Sequence, residues 1–262
     1  MNRKIAVVAA IAIITIIAGI GTYYLILLPH PTTQTPPTIV SHTHLIETDE
    51  NTSITFYKVI GVVRNNLETN IESVNVTATF FDAESNLIAI RNASTESKII
   101  EPDQRVPFEV YLLLDLAKEA PDRYELTLSY VKTSKETIAG LEIVNRNWHV
   151  NETTGYHIVT GEIQNKGQQK ASGVKILCTY YDSEGNVKAV SHTYISSTLY
   201  GGEKAAFEIS SEPHKISSDS DFELLIVVGS YDRLPIVNYA LFAILAVGFL
   251  SFIIYMKKYR GW

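Results

Sequence analysis

The chain has 262 residues, of which 46% are hydrophobic and 19% charged, and a formal net charge of −6 at pH 7. That length accommodates one or two ordinary domains, and the acidic balance argues against a nucleic-acid-binding protein, which needs a basic face. A single cysteine, Cys178, excludes any intrachain disulfide.

Residues 5–28 carry no charge, and neither do residues 234–256. A helix crossing a bilayer core needs about 20 apolar residues, so both blocks are expected to be transmembrane helices. Arg3 and Lys4 precede the first, while Lys257, Lys258 and Arg260 follow the second. Basic flanks remain in the cytoplasm. Both termini are therefore expected inside a two-pass cell-membrane protein, with residues 29–233 extracytoplasmic. That middle segment holds 17 of the 22 basic residues and all 28 acids, a net charge of −11. The first block also admits a reading as a secretory signal, because residues 5–18 have the length of its apolar region and Ala18, Gly19 and Gly21 are small.

The expected order is an anchor at 1–28, a Pro/Thr stalk at 29–37 and two β domains at 38–134 and 135–232. A second membrane helix at 233–256 and a basic tail at 257–262 complete it. The domain assignment rests on a repeat. A shift of 100 residues aligns 57–89 with 157–189 without a gap. Val59, Gly61, Asn65, Val74, Thr79, Asp82, Glu84, Asn86 and Ala89 recur at Val159, Gly161, Asn165, Val174, Thr179, Asp182, Glu184, Asn186 and Ala189. Chance would give roughly two such matches. Val74, Val76, Ala78 and Phe80 alternate with polar residues, as do Val174, Ile176, Cys178 and Tyr180 with the residues between them. Period two marks a strand with one buried face. Asn- and Gly-rich turns separate such runs, so each copy is expected to be an antiparallel sandwich of six or seven strands. First strands are expected at 39–48 and 138–147, with the boundary near Ser134. A short helix is a possibility at 114–120.

In each copy a strand ends in Gly-x-Val/Ile-x-Asn, at Gly61–Asn65 and Gly161–Asn165. An aromatic-aromatic-Asp run follows, Phe80-Phe81-Asp82 and Tyr180-Tyr181-Asp182, then an acidic turn and a return strand. These features resemble the FxLYD domain family of microbial surface proteins over about 75 residues per copy. The naming motif is partly kept: Ala78 or Cys178 stands where Phe is usual, and Phe80 or Tyr180 where Leu is usual. The resemblance implies immunoglobulin-like sandwiches outside the cytoplasm. It implies no activity, since no common catalytic residues carry over.

Asp82, Glu84 and Asn86, and likewise Asp182, Glu184 and Asn186, could point oxygens at one calcium ion, which takes 6–8 of them. The competing reading is a hairpin turn capped by its own Asp and Asn. His42 and His44 fall on one face of a strand at a usable metal spacing; the competing reading is a solvated face. Sequons at Asn51, Asn75, Asn92 and Asn151 are glycosylation candidates. In the first apolar block Thr15, Gly19, Ala18 and Thr22 form small-x-x-x-small pairs for helix packing, and Asn238 in the second could hydrogen-bond across a helix interface. No nucleophile elbow or phosphate loop is present. No catalytic residue and no cofactor are expected. The expected function is a membrane-anchored binding or assembly module, an accessory subunit with the bilayer and a membrane protein as partners. The alternatives are an envelope spacer and an enzyme with an unrecognised site.

Overall fold

A computed structural model describes residues 35–49, 53–114, 120–212, 216, 221–228 and 230–232. Both apolar blocks lie outside these residues, with Thr15, Ala18, Gly19, Thr22 and Asn238. So do Asn51 and most of the possible helix at 114–120, whose first residue, Leu114, ends a strand. Among the described residues no helix is long and apolar enough to cross a membrane. They are all-β, in antiparallel sheets.

The first copy contributes β1 (Thr38–Thr48), β2 (Thr55–Arg64), β3 (Ile71–Phe81), β4 (Leu87–Ser94), β5 (Ile99–Ile100), β6 (Arg105–Leu114) and β7 (Arg123–Lys132). One sheet has the order β1-β2-β6; in the other, β3 pairs with β4, β5 and β7. Val74, Val76, Ala78 and Phe80 of β3 are buried, while Asn75, Thr77 and Thr79 between them are not. Those four meet Tyr57, Val59, Val63, Val106 and Phe108 of the opposite sheet in one apolar cluster.

The second copy contributes β8 (Lys135–Thr137), β9 (Leu141–Val150), β10 (His157–Asn165), β11 (Lys175–Tyr181), β12 (Val187–Tyr194), β13 (Lys204–Ser211), β14 (Asp221–Val227) and β15 (Ser230–Asp232). Its sheets are β13-β10-β9 and β12-β11-β14, and β8 pairs with β15. Val159, Ile163, Ile176, Cys178 and Phe207 belong to its own cluster. The first long strand starts at Leu141 rather than 138. Gly140, at φ +91°, turns the chain, and its carbonyl accepts the Lys166 N–H at 2.7 Å.

The repeated glycine and asparagine have structural causes. A Cβ on Gly61 would lie 2.3 Å from Cζ of Phe108, and one on Gly161 would lie 2.6 Å from Cζ of Phe207. The far end of the phenyl ring of one strand thus occupies the place that a side chain on its neighbour would take. Asn65 and Asn165 are fully buried. The Asn65 amide donates to the carbonyls of Thr69 (2.9 Å) and Ile100 (3.0 Å), and its Oδ1 accepts the Leu67 N–H (3.1 Å). Asn165 repeats this with the carbonyls of Gln169 (2.7 Å) and Leu199 (2.9 Å) and the N–H of Gly167 (3.0 Å). Each buried side chain closes a turn by bonding three of its backbone groups at once.

The two copies dock through their outer faces. Ile60 and Val62 point out of the first sandwich and cluster with Leu45, Tyr181, Val187 and Val190. The Val187 N–H donates to Ser41 Oγ at 2.9 Å. Lys175 pairs with Glu96 at 2.5 Å, Arg105 with Glu223 at 3.8 Å, and the Arg105 guanidinium sits 4.9 Å from the centre of the Tyr181 ring. Lys58, on this same face and only 7% exposed, is held by Glu109 at 2.7 Å and Glu47 at 3.7 Å. Hence β2 and β11 are buried on both faces, and the alternation expected of β11 gives way to six consecutive buried residues.

Cys178 faces the second cluster at 0% exposure, at the position Ala78 holds in the first copy. Burial pushes its thiol up to about 12, so the nucleophilic thiolate is essentially absent at pH 8. The folded chain should remain unlabelled by a maleimide at pH 8 for as long as it stays folded, and labelling within minutes would contradict the assignment. Cys178→Ala should cost about 1 kcal/mol.

Candidate functional site

The acidic turns are built from their own oxygens. Asp82 Oδ1 accepts the Asn86 N–H at 2.7 Å, and Oδ2 accepts the Asn86 amide at 3.0 Å. Asp182 Oδ1 accepts the N–H groups of Asn186 (2.8 Å) and Glu184 (3.1 Å), while Lys188 lies 3.2 Å from Oδ2. Hydrogen bonds from Asn86 hold the Asp82 carboxyl below its usual range, and those from Asn186 do the same for Asp182. Ser85 and Gly185 take positive φ of 67° and 82° to complete the turns. Glu84 and Glu184 are exposed in the same loops.

Asn75 sits on the outer face of β3, where its Oδ1 accepts from Ser94 Oγ at 2.8 Å, and Asn92 is exposed on β4 across from Thr77. Asn151 opens a hairpin and caps the N–H groups of Thr153 and Thr154 through Oδ1.

His42 and His44 lie on an edge strand beside Tyr124 of β7, and both are exposed. His42 Nδ1 is 2.8 Å from the Tyr124 hydroxyl. The His44 ring stacks on Tyr57 at 4.9 Å and 5°. Tyr57 is 2% exposed, and burial first, then Tyr124 and Asp122, pushes its phenol up to about 12. The same seam in the second copy is filled differently. Register places Arg146 opposite Gly161 and Trp148 opposite Val159, as His42 and His44 stand opposite Gly61 and Val59. Trp148 stacks on His157 at 6.2 Å and 3°, and Arg146 lies over Phe222 at 5.6 Å.

A cleft of about 780 Å³ opens where the copies meet. Its apolar wall is Leu141, Ile143, Leu224, Ile226 and Val228 of the second copy, packed against that copy's cluster. Asn70, Ser97, Glu101 and Gln104 of the first copy form a polar rim, and Thr137 donates its hydroxyl to Glu101. Clefts of this size and mixed lining, at junctions between folded units, are where ligands and chain segments bind. None of these residues is prominent in the sequence. The available signal was the difference between copies: Ile60 and Val62 stand where Thr160 and Glu162 stand in the second, and Leu177 where Thr77 stands in the first. Those exchanges mark the docked faces, and the cleft lies at their margin.

No family model matches the chain, and no curated protein matches it. Among solved structures, it is similar to an exo-chitosanase from Amycolatopsis orientalis (10% identity, TM-score 0.26, covering 72% of this chain and 26% of that one). It is similar also to β-glucuronidase 2 of Bacteroides uniformis (13%, 0.23, 74% and 32%). A third is the C-terminal globular domain of an oligosaccharyltransferase from Pyrococcus abyssi (9%, 0.22, 76% and 48%). The chain spans less than half the length of each, and likeness at this level carries no argument about function.

Proposed function

We propose that the chain is a membrane-anchored, extracytoplasmic binding or assembly module, an accessory subunit of a membrane protein complex. In this reading it consists of two tandem immunoglobulin-like sandwiches of the FxLYD kind between two membrane helices. The observation that supports it most is where the chain enters and leaves the folded region. Pro36, at the entry, accepts through its carbonyl the Asn66 amide at 2.9 Å. Asp232, at the exit, pairs with Lys135. The Lys135 carbonyl in turn accepts the Asn70 amide at 2.8 Å, and Lys135 Nζ pairs with Glu72 at 2.9 Å. Entry and exit are thus tied to opposite ends of one short loop, 65–70. Entry and exit at one end of the folded region is what two anchors in one bilayer require. The cleft includes Asn70, Glu136 and Val228 of that same region, so it would open close to the membrane, within reach of a partner's juxtamembrane segment.

The test is capture in the native membrane. A photo-crosslinking residue at Gln104 should trap the same membrane protein that co-purifies with the full chain in mild detergent at a fixed ratio. One at Asn186, in a distant turn, should not. Isolation of the full chain as a lone monomer in several mild detergents, with no adduct from Gln104, would overturn the accessory role.

A further inference from the structure

The partner cleft leaves the two histidines of β1 unused. We propose that His42 and His44 form a two-imidazole chelate for a borderline divalent transition-metal ion, with Tyr124 as the positioning residue. Residues i and i+2 of a strand stand about 6.7 Å apart on one face. Two imidazole nitrogens on one tetrahedral ion at about 2.0–2.1 Å must come to roughly 3.3 Å from each other. A shared ion therefore requires the two rings to turn toward one another, and one aromatic ring lies within reach of both. Both meet the same Tyr124 ring edge-on, His42 with centroids 5.5 Å apart at 72° and His44 at 5.8 Å and 78°.

The second nitrogen of a metal-binding imidazole is usually held by an outer partner that fixes tautomer and orientation. For His42 that partner is the Tyr124 hydroxyl, 2.8 Å from Nδ1. With Nδ1–H donating to the phenolic oxygen, the lone pair lies on Nε2. For His44 the constraint is the stack on Tyr57, a ring fixed by burial. Ordering two exposed side chains before the ion arrives reduces the entropy that binding must overcome.

The fold itself does not require histidine here. At the matching positions the second copy carries Arg146 and Trp148, which fill the seam with flat groups and lack the donor pair. Fold therefore explains flat side chains at these positions in both copies, and metal binding explains why the first copy uses two imidazoles. The net charge of −11 over residues 29–233 draws cations toward this surface. Two imidazoles with water in the remaining positions suit Cu²⁺, Ni²⁺ or Zn²⁺ rather than Ca²⁺ or Mg²⁺.

The experiment titrates Zn²⁺ into the full chain by calorimetry and reads Cu²⁺ on the same protein by electron paramagnetic resonance. One ion per chain is expected. His42→Gln and His44→Gln should each weaken Zn²⁺ binding at least tenfold, and the melting curve should stay in place because both side chains are exposed. His149→Gln, exposed on β9, should leave affinity unchanged. The Cu²⁺ spectrum should show two ring nitrogens in the parent and one in either single variant. Tyr124→Phe should keep two nitrogens and lose affinity by about tenfold, as outer-partner changes do. A parent chain without saturable binding overturns the chelate, as does unchanged affinity or nitrogen count in either single variant. Unchanged affinity in Tyr124→Phe overturns the positioning role.

Discussion

Asn165→Leu should lower the unfolding free energy by on the order of 3–5 kcal/mol, read by urea denaturation of the full chain. Leucine is close in volume, so little packing is lost. The cost arises in the groups left behind. The carbonyls of Gln169 and Leu199 and the N–H of Gly167 lose their amide partner, in a place where the parent side chain is fully buried. The Leu199 carbonyl keeps the Ala171 N–H at 2.9 Å, so the loss falls mainly on Gln169 and Gly167, at about 1–3 kcal/mol for a polar group left unpaired. Asn165→Asp should be nearly as damaging, because a carboxylate accepts where two donors are needed. Asn65→Leu should behave alike, since the carbonyls of Thr69 and Ile100 and the Leu67 N–H have the same geometry. A loss below about 1 kcal/mol in both variants would mean that water or relaxation replaces the amide, and would remove the structural account of the repeat's most regular residue.

The double change Ile60→Thr, Val62→Glu should split one unfolding transition into two. These are the residues that the second copy carries at Thr160 and Glu162, on the outer face of an equivalent strand, so the first sandwich should tolerate them. What they remove is the docked face: Ile60 and Val62 are 1% and 0% exposed against Tyr181 and Val187. Two aliphatic side chains lost from such a junction are worth roughly 3–5 kcal/mol, and the carboxylate introduced at position 62 would add a desolvation cost. Calorimetry of the parent should give one cooperative transition, because coupling of that size joins two marginal units. The variant should show two, each retaining β-sheet circular dichroism. A single transition near the parental midpoint would show that the outer faces contribute little.

Local pattern carried much of this architecture, and its limits are instructive. Val76, Ala78 and Phe80 alternate with Thr77 and Thr79, so β3 was legible, and the Asp82 turn was legible by its Asp and Asn. The all-β class follows from such runs. The turn at Gly140 was harder: Ile138 looks like the start of a strand until the positive φ of Gly140 separates it from Leu141. The pairing of β8 with β15 involves three residues each, too few for any period. The doubly buried strands were misread for another reason. Matching the copies emphasises what they share, whereas docking is written in Leu177 against Thr77 and Val62 against Glu162. The histidine spacing at 42 and 44 was visible. Its positioning ring, Tyr124, lies 82 residues from His42, and only the approach of β7 to β1 brings them together.

The docking of unlike faces bears on how many units can be joined. A contact between different faces of the same building block is head-to-tail, and head-to-tail contacts propagate into open arrays unless something terminates them. The face of β3 that would receive a preceding unit presents Asn75, Thr77 and Thr79, where the docked β11 presents Lys175, Leu177 and Thr179. The face of β10 that would receive a following unit presents Thr160 and Glu162 in place of isoleucine and valine. Thr77 against Leu177, and Thr160 and Glu162 against Ile60 and Val62, are thus the exchanges expected of terminal repeats, polar where the docked strand is apolar.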